Sequence, residues 1–346
     1  TPNADVIYSM SYLDLKETGP LVVAAPANVI GMFTDFFQRT LTDVGASGPD
    51  RARGGLYLLL PPNYDGHVPD GYFTFESSTY NVFLFFRTIM GQGDGVPDPA
   101  PAVEQAEQTR IYPLWAQEKD IPAMEFPNAS NQHVNMMYPI NNAFWTKLKD
   151  FVDYEPLTAI DPELRGVLAS IGIVKGQPLE PSERQQELLL KAVETAPKMI
   201  LASKQLGRAD WRNLYYDDRQ YERAWAAATA EWMQETYLDI DQRAGFFQYA
   251  YSSAPAMVQR SIGAGSKYPY TLRDADGNFL DGSNTYRMHL PANPPAALFW
   301  AVTAYNLTDG TMPETEQLLP STNSYYDVAK NEDGSIDIWF APEQPE

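Results

Sequence analysis

Val82-Phe83-Leu84-Phe85-Phe86-Arg87, inside the run Asn81 to Ile89, decides the fold class of this 346-residue chain. Successive side chains of a strand point to opposite faces, so Phe83 and Phe85 share one side and Val82, Leu84 and Phe86 the other. Both faces are apolar. A strand covered on both sides belongs to a sandwich or to a sheet overlaid by helices. The run is far shorter than the ~18–20 apolar residues of a transmembrane helix, and it ends at Arg87.

Upstream, Val6 to Met10, Leu21 to Ala24, Leu56 to Leu60 and Tyr72 to Phe75 read as further strands bounded by Pro, Gly or Asn. The Gly- and Pro-rich stretch Gly91 to Pro101 reads as a break. From Asn141 the period changes to helical. Phe144, Leu148, Phe151 and Val152 fit one face, and Asp161-Pro162 reads as an N-cap followed by proline, with Gly172 as the stop. Ser182 and Gln185 have capping-box spacing ahead of Leu189, Val193, Ala196 and Ile200, where Pro197 should kink or interrupt the helix. Tyr221, Trp225, Ala228 and Trp232 form another stripe at helical intervals, best read as core.

After Gly263-Ala264-Gly265 the strands return, at Tyr268 to Leu272, Thr285 to Leu290, Ala297 to Tyr305 and Ile336 to Phe340. Asp274 to Asn278 and Asn331 to Ser335 carry the Asp-Gly pairs of tight turns. Strands, then helices, then strands predict an α+β, mostly β protein: two β-sandwich or jelly-roll-like domains joined by a helical middle. The expected limits are 1–135, 136–265 and 266–346.

The totals narrow the function. Aromatic residues are 13%, with 21 Tyr and 7 Trp, and 28 Pro and 22 Gly favour short elements over long bundles. The formal charge of −20 repels nucleic-acid phosphates and anionic membrane surfaces. With no cysteine, disulfides, thiolate nucleophiles and thiolate metal sites are excluded. His67, His133 and His289 are isolated, so no local zinc motif exists. Asp274, Asp276 and Asn278 imitate the start of a calcium loop, but Thr285 stands at the twelfth position, and the stretch reads as a hairpin turn. Gly265-Ser266-Lys267 lacks the rest of a phosphate loop, and no Gly-x-Ser-x-Gly elbow or Gly-x-Gly-x-x-Gly occurs. No cofactor and no metal is expected.

Asp5 is the most informative polar residue, a carboxylate beside an apolar run that is costly unless paired or liganded. Arg87 is its candidate ion-pair partner, and a ligand-binding or catalytic role is the competing reading. Were residues 5–14 a regular strand, Asp5 and Ser9 would share one face and Tyr8, Tyr12 and Asp14 the other, so that no single cleft could hold them all without a bulge. The same argument separates Tyr305 from Trp300.

Thr1, Pro2, Asn3, Asp5, Tyr8 and Ser9, then Leu168 to Gly176, then Asp276-Gly277, Leu280 to Asn284, Tyr286, Phe299-Trp300, Tyr305 and Asp333 to Ser335 occur in an order that resembles the paired bacterial domain-of-unknown-function family numbered 1254 and 1214. Singly these motifs are weak; together they span nearly the whole chain. The resemblance implies two β-rich domains joined through helices, often in an exported protein, and carries no catalytic residue over. Members usually have an Arg-Tyr pair where this chain has Gly31-Met32-Phe33. They also continue into a final strand beyond Glu346, so the last strand is expected to be missing here.

Two functions fit. One is a periplasmic or secreted protein, with a cytoplasmic place equally compatible with the absence of cysteine, that handles a small molecule in a pocket between the β domains and extends to a cofactor-free hydrolase. Asp5 and Tyr8 would do acid–base work there, with Arg87, Tyr286, Trp300 and Tyr305 holding the ligand. The other is a non-catalytic binding or structural β-sandwich protein whose aromatics make homo-oligomeric contacts.

Overall fold

The computed structural model describes residues 3–345 apart from 94–95, 118–120, 122, 131, 133–134, 136, 207–210, 228, 251, 259–266, 297–298 and 318. Expectations resting on Thr1, Pro2, His133, Ala228, Gly263, Gly265 and Ala297 lie outside the described residues.

The first third forms two sheets. β1 (Val6–Asp14), β3 (Ile30–Asp35), β4 (Thr40–Val44) and β7 (Asn81–Ile89) pair antiparallel in the order β1-β7-β3-β4. β2 (Leu21–Ala25), β5 (Gly55–Leu60), β6 (Phe73–Glu76) and β10 (Arg110–Pro113) form the second sheet, β10-β2-β5-β6, in which β5 and β6 run parallel. Their facing sides enclose a core of Leu13, Phe33, Val82, Leu84 and Phe86 against Leu21, Val23, Tyr57 and Leu59. The two-sided reading of Val82 to Phe86 is what the structure shows, since Phe83 is as deeply buried as Val82 on the opposite face. The Gly- and Pro-rich break after Ile89 carries a small hairpin, β8 (Gly91–Gly93) with β9 (Val96–Asp98). Two short helices, α1 (Leu15–Thr18) and α2 (Ala100–Ala106), complete this part.

The middle supplies α3 (Ala143–Tyr154), α4 (Pro162–Ser170), α5 (Glu183–Leu206), α6 (Ile240–Tyr249) and α7 (Pro255–Val258). Local chemistry sets the ends of α4 and the start of α5. The Asp161 carboxylate accepts the Glu163 amide at 2.8 Å, and Gly172 turns the chain at φ 89° beyond α4. Ser182, just before α5, and Gln185, in its first turn, cap one another. Pro197 does not end α5, which continues to Leu206.

The stripe from Tyr221 to Trp232 is not a helix. Glu222–Arg223 forms a short strand, β11, and Trp232 takes φ 63°. Trp225 and Trp232 are nonetheless core, their rings 6.2 Å apart and both against Phe246. Ring burial in a chain that doubles back has overridden the local helical pattern.

The remainder is β-rich: β12 (Pro269–Tyr270) pairs with β11, β13 (Tyr286–Leu290) with β16 (Ile336–Phe340), and β14 (Ala301–Thr303) with β15 (Ser321–Asn323). Asp274 closes the expected tight turn by accepting the amides of Asp276 and Asn278. His289 pairs with Asp337 directly across β13 and β16 at 2.8 Å. Together the parts are the mostly β, α+β architecture with a helical middle. Among the described residues no helix is long and apolar enough to cross a membrane.

Candidate functional site

Register decides which side chains meet on the outer face of the first sheet. Tyr8 lies opposite Arg87 across β1 and β7, Met10 opposite Phe85, Phe85 opposite Met32 on β3, and Met32 opposite Asp43 on β4. Cross-strand partners share a face, so Tyr8, Arg87, Phe85, Met32 and Asp43 all look away from the sandwich core. The Gly31-Met32-Phe33 departure falls on β3, at the centre of this sheet.

Three distant stretches of chain close over that face. Asp5 sits in a bend before β1, its amide bonded to the Asn3 side chain at 2.7 Å, and is only 2% exposed. The bend releases Asp5 from strand alternation, so the parity that would hold it apart from Tyr8 does not apply. Its carboxylate accepts the Asn323 side-chain amide, not Arg87. The expected Asp5–Arg87 ion pair does not form. Asn323, at the end of β15, in turn accepts the amides of Tyr325 and Tyr326 at 2.8 and 3.2 Å. The Arg87 guanidinium donates to the Tyr268 hydroxyl, at the start of the last part, at 3.4 Å, and from the middle the Ala256 amide donates to Asp43 Oδ2 at 3.0 Å.

The cluster is incompletely satisfied. Asp5 Oδ2, Asp43 Oδ1 and Arg87 Nε are buried without a hydrogen-bond partner. A buried polar atom in that state costs about 1–3 kcal/mol, so each of the three calls for a reason. Burial also moves the acids. It raises the Asp5 carboxyl, against the opposing Asn323 hydrogen bond. It pushes Asp43 up to about 6, against the Ala256 amide and the Arg87 charge. Tyr8 is raised mainly by burial, with Arg87 opposing and the neighbouring Tyr268 and Tyr305 adding to the rise. Tyr305 is raised by burial and by the nearby Asp5 charge, while the residue stays 39% exposed at the edge of the cluster. The arrangement therefore offers two carboxyl groups that hold protons readily, un-ionised phenols as donors, and one guanidinium.

Asp5, Tyr8, Arg87 and Tyr305 are brought together. Tyr286 is engaged elsewhere, its hydroxyl holding the Asp281 amide at 2.9 Å, and Trp300 flanks β14, its backbone bonded to Ser324. Sequence reasoning missed Asp43, Tyr268 and Asn323. The signal that marked Asp5, a carboxylate among apolar residues, was equally present in Leu41-Thr42-Asp43-Val44.

Residues 1–113 match a family described as a protein of unknown function (DUF1254), and residues 265–346 match a second (DUF1214). The two matches stand at the N- and C-terminal ends of the chain, in the order of the paired family that the sequence resembles. No curated protein matches it significantly. Among solved structures it is similar to the VPA0106 protein of Vibrio parahaemolyticus, at 18% identity and a TM-score of 0.56, over 98% of this chain and 78% of that one. At that identity the likeness shows the fold alone. Asp5, Tyr8 and Arg87 lie within the DUF1254 match and Tyr268, Tyr305 and Asn323 within the DUF1214 match, so the cluster sits where the paired domains meet.

The titration of Asp43 gives a test of its burial. A carboxyl raised from 3.8 to about 6 binds its proton more tightly in the folded state, so its contribution is full below pH 3.8 and is lost as pH rises toward 6. Asp43→Asn keeps an acceptor for Ala256 and cannot titrate. Thermal unfolding of wild type and variant at pH 4.5 and 7.5 should show the variant gaining on wild type at the higher pH by roughly 1–2 kcal/mol, after allowance for screening. A difference independent of pH would place the Asp43 carboxylate in solvent.

Proposed function

We propose that this protein handles a small polar molecule at the junction of its DUF1254 and DUF1214 parts, in the cluster of Asp5, Tyr8, Asp43, Arg87, Tyr268 and Tyr305. The observation that carries the reading is that Arg87 Nε and Asp43 Oδ1, on side chains near enough for their charges to interact, are both buried without a partner, with Asp5 Oδ2 a third such atom on the Tyr305 side. A ligand offering both an acceptor for Arg87 Nε and a donor for a carboxylate oxygen would satisfy atoms that the protein itself leaves unpaired. The partly exposed Tyr305 marks the side from which it would enter. In a hydrolytic form of this reading, Asp5 or Asp43 would move the proton while Tyr8 and Arg87 orient the substrate. We place the protein in the periplasm or outside the cell, and we divide it at 1–135, 136–265 and 266–346.

Native mass spectrometry of the protein as isolated tests the proposal. A retained small molecule should be present in wild type and lost in Arg87→Met. A bare chain that also fails to take up any compound from a library of small acids and sugars would overturn it.

A second reading, a non-catalytic protein forming homo-oligomers, is favoured by one feature. β1 is a nine-residue edge strand, and Met10 and Tyr12 on its outer face are 49% and 45% exposed. Long exposed edges of this kind invite pairing with another chain. The same mass spectrum reads the oligomeric state.

A further inference from the structure

A cleft of about 420 Å³ opens on the helical middle, lined by the end of α3, the 157–160 turn, α4 and residues 173–175, and sharing no residue with the Asp5–Arg87 cluster. Its size falls within the ~300–1,000 Å³ of small-molecule sites. The walls are apolar, from Val152, Leu157, Ile160, Leu168, Ile173 and Val174. The charged residues among them, Arg165 and Lys175, are both cations, although the chain as a whole carries −20.

The two cations differ in their engagement. The Lys175 ammonium donates to the carbonyl oxygens of Val152, Asp153 and Glu155, and so closes the C-terminal end of α3. Arg165 forms no ion pair among the described residues, and its Nε is buried without a hydrogen-bond partner. A second, independent observation lies one residue on. Gly166 is in the middle of α4, where glycine costs about 1 kcal/mol relative to alanine. Neither conformation nor packing requires it, because its φ is not positive and a Cβ there would meet nothing within 4 Å. What the missing side chain leaves open is the cleft that Gly166 lines.

We propose that this cleft binds an aliphatic monocarboxylate, its chain along the apolar wall and its carboxylate on Arg165. The apolar lining selects the chain, and the free guanidinium selects the charge. This site is separate from the one under Proposed function, and either can fail alone.

Isothermal titration of the full chain with octanoate, and with octyltrimethylammonium as the cation of matched chain length, tests it. Octanoate should bind saturably with one site per chain. Arg165→Gln should weaken it by about tenfold or more, the loss expected for a charge-assisted hydrogen bond. Gly166→Phe, which fills the cleft, should abolish binding. Val174→Trp, at a position already 40% exposed, is a second filling variant should Gly166→Phe fail to fold. Circular dichroism checks that each variant is native. Absence of saturable octanoate binding would overturn the proposal, as would unchanged binding in a folded filling variant or equal binding of the cation.

Discussion

Glu155→Ala should destabilise the protein by about 3 kcal/mol or more, one of the largest single effects expected in this chain. The Glu155 side chain is fully buried just beyond α3 and accepts three donors from the start of β7: the Tyr80 amide at 2.5 Å, the Asn81 amide at 3.2 Å and the Asn81 side chain at 2.7 Å. Burying a carboxylate is unfavourable, and here three N–H groups offset that cost. Truncation relieves the desolvation of one anion but strands three donors and leaves a gap, and the stranded donors dominate at about 1–3 kcal/mol each. The same junction holds Phe36 against Phe151 at 4.6 Å, the Tyr154 hydroxyl on Asp14, and Lys16 over the Tyr154 ring at 4.2 Å. Loss of Glu155 should therefore loosen α3 from the sandwich before the sandwich core opens. Urea denaturation gives the magnitude, and hydrogen exchange should show α3 amides losing protection first. Glu155→Gln, which keeps one acceptor oxygen, should fall between the two. A Glu155→Ala protein within about 0.5 kcal/mol of wild type would mean that this anchor does not hold the helical middle in place.

The contrast between what the sequence disclosed and what it hid has a physical basis. Asn81 to Ile89 was legible to its ends because apolar residues occupy both faces of one continuous run. The starts of α4 and α5 were legible because capping is local chemistry, complete within a few residues of Asp161 and Ser182. β3 and β4 were not. Gly31 interrupts the first, and Asp43 places a carboxylate among the apolar residues of the second, so each strand contradicts the pattern that its neighbours obey. The Trp225 and Trp232 rings were correctly read as core but wrongly placed on a helix, because equal spacing along the chain can also arise where the chain turns back. The candidate site lies at the far end of this scale. Asp5 drew attention through its apolar surroundings, yet its partner, Asn323, is 318 residues away, and only the folded chain brings the two together.

Gly31→Val should be still less tolerated than loss of Glu155. Gly31 lies opposite Phe86 of β7 and Val44 of β4, with strands on both sides. A Cβ at this position would stand 2.4 Å from the Phe85 carbonyl oxygen, 2.6 Å from Phe86 Cδ1 and 3.0 Å from Phe86 Cα. The Phe86 ring could rotate, but two of these three atoms are backbone, and they can give way only if β3 and β7 separate. Glycine in a strand interior commonly marks such a close approach, and valine's strand propensity, worth at most about 1 kcal/mol, is too small to offset it. Overpacking of this kind costs about 1–3 kcal/mol where side chains can adjust, and more where backbone must move. Gly31→Ala should therefore be clearly destabilised, and Gly31→Val by upward of about 3 kcal/mol or left unable to fold. Because β7 carries Arg87 on the opposite face, a shift that relieves the clash would also disturb the Tyr8–Arg87–Tyr268 contacts. The folded Gly31→Ala protein should accordingly lose any ligand that wild type retains, while octanoate binding at the α4 cleft persists. A Gly31→Val protein as stable as wild type would show that β3 and β7 do not pair in this register.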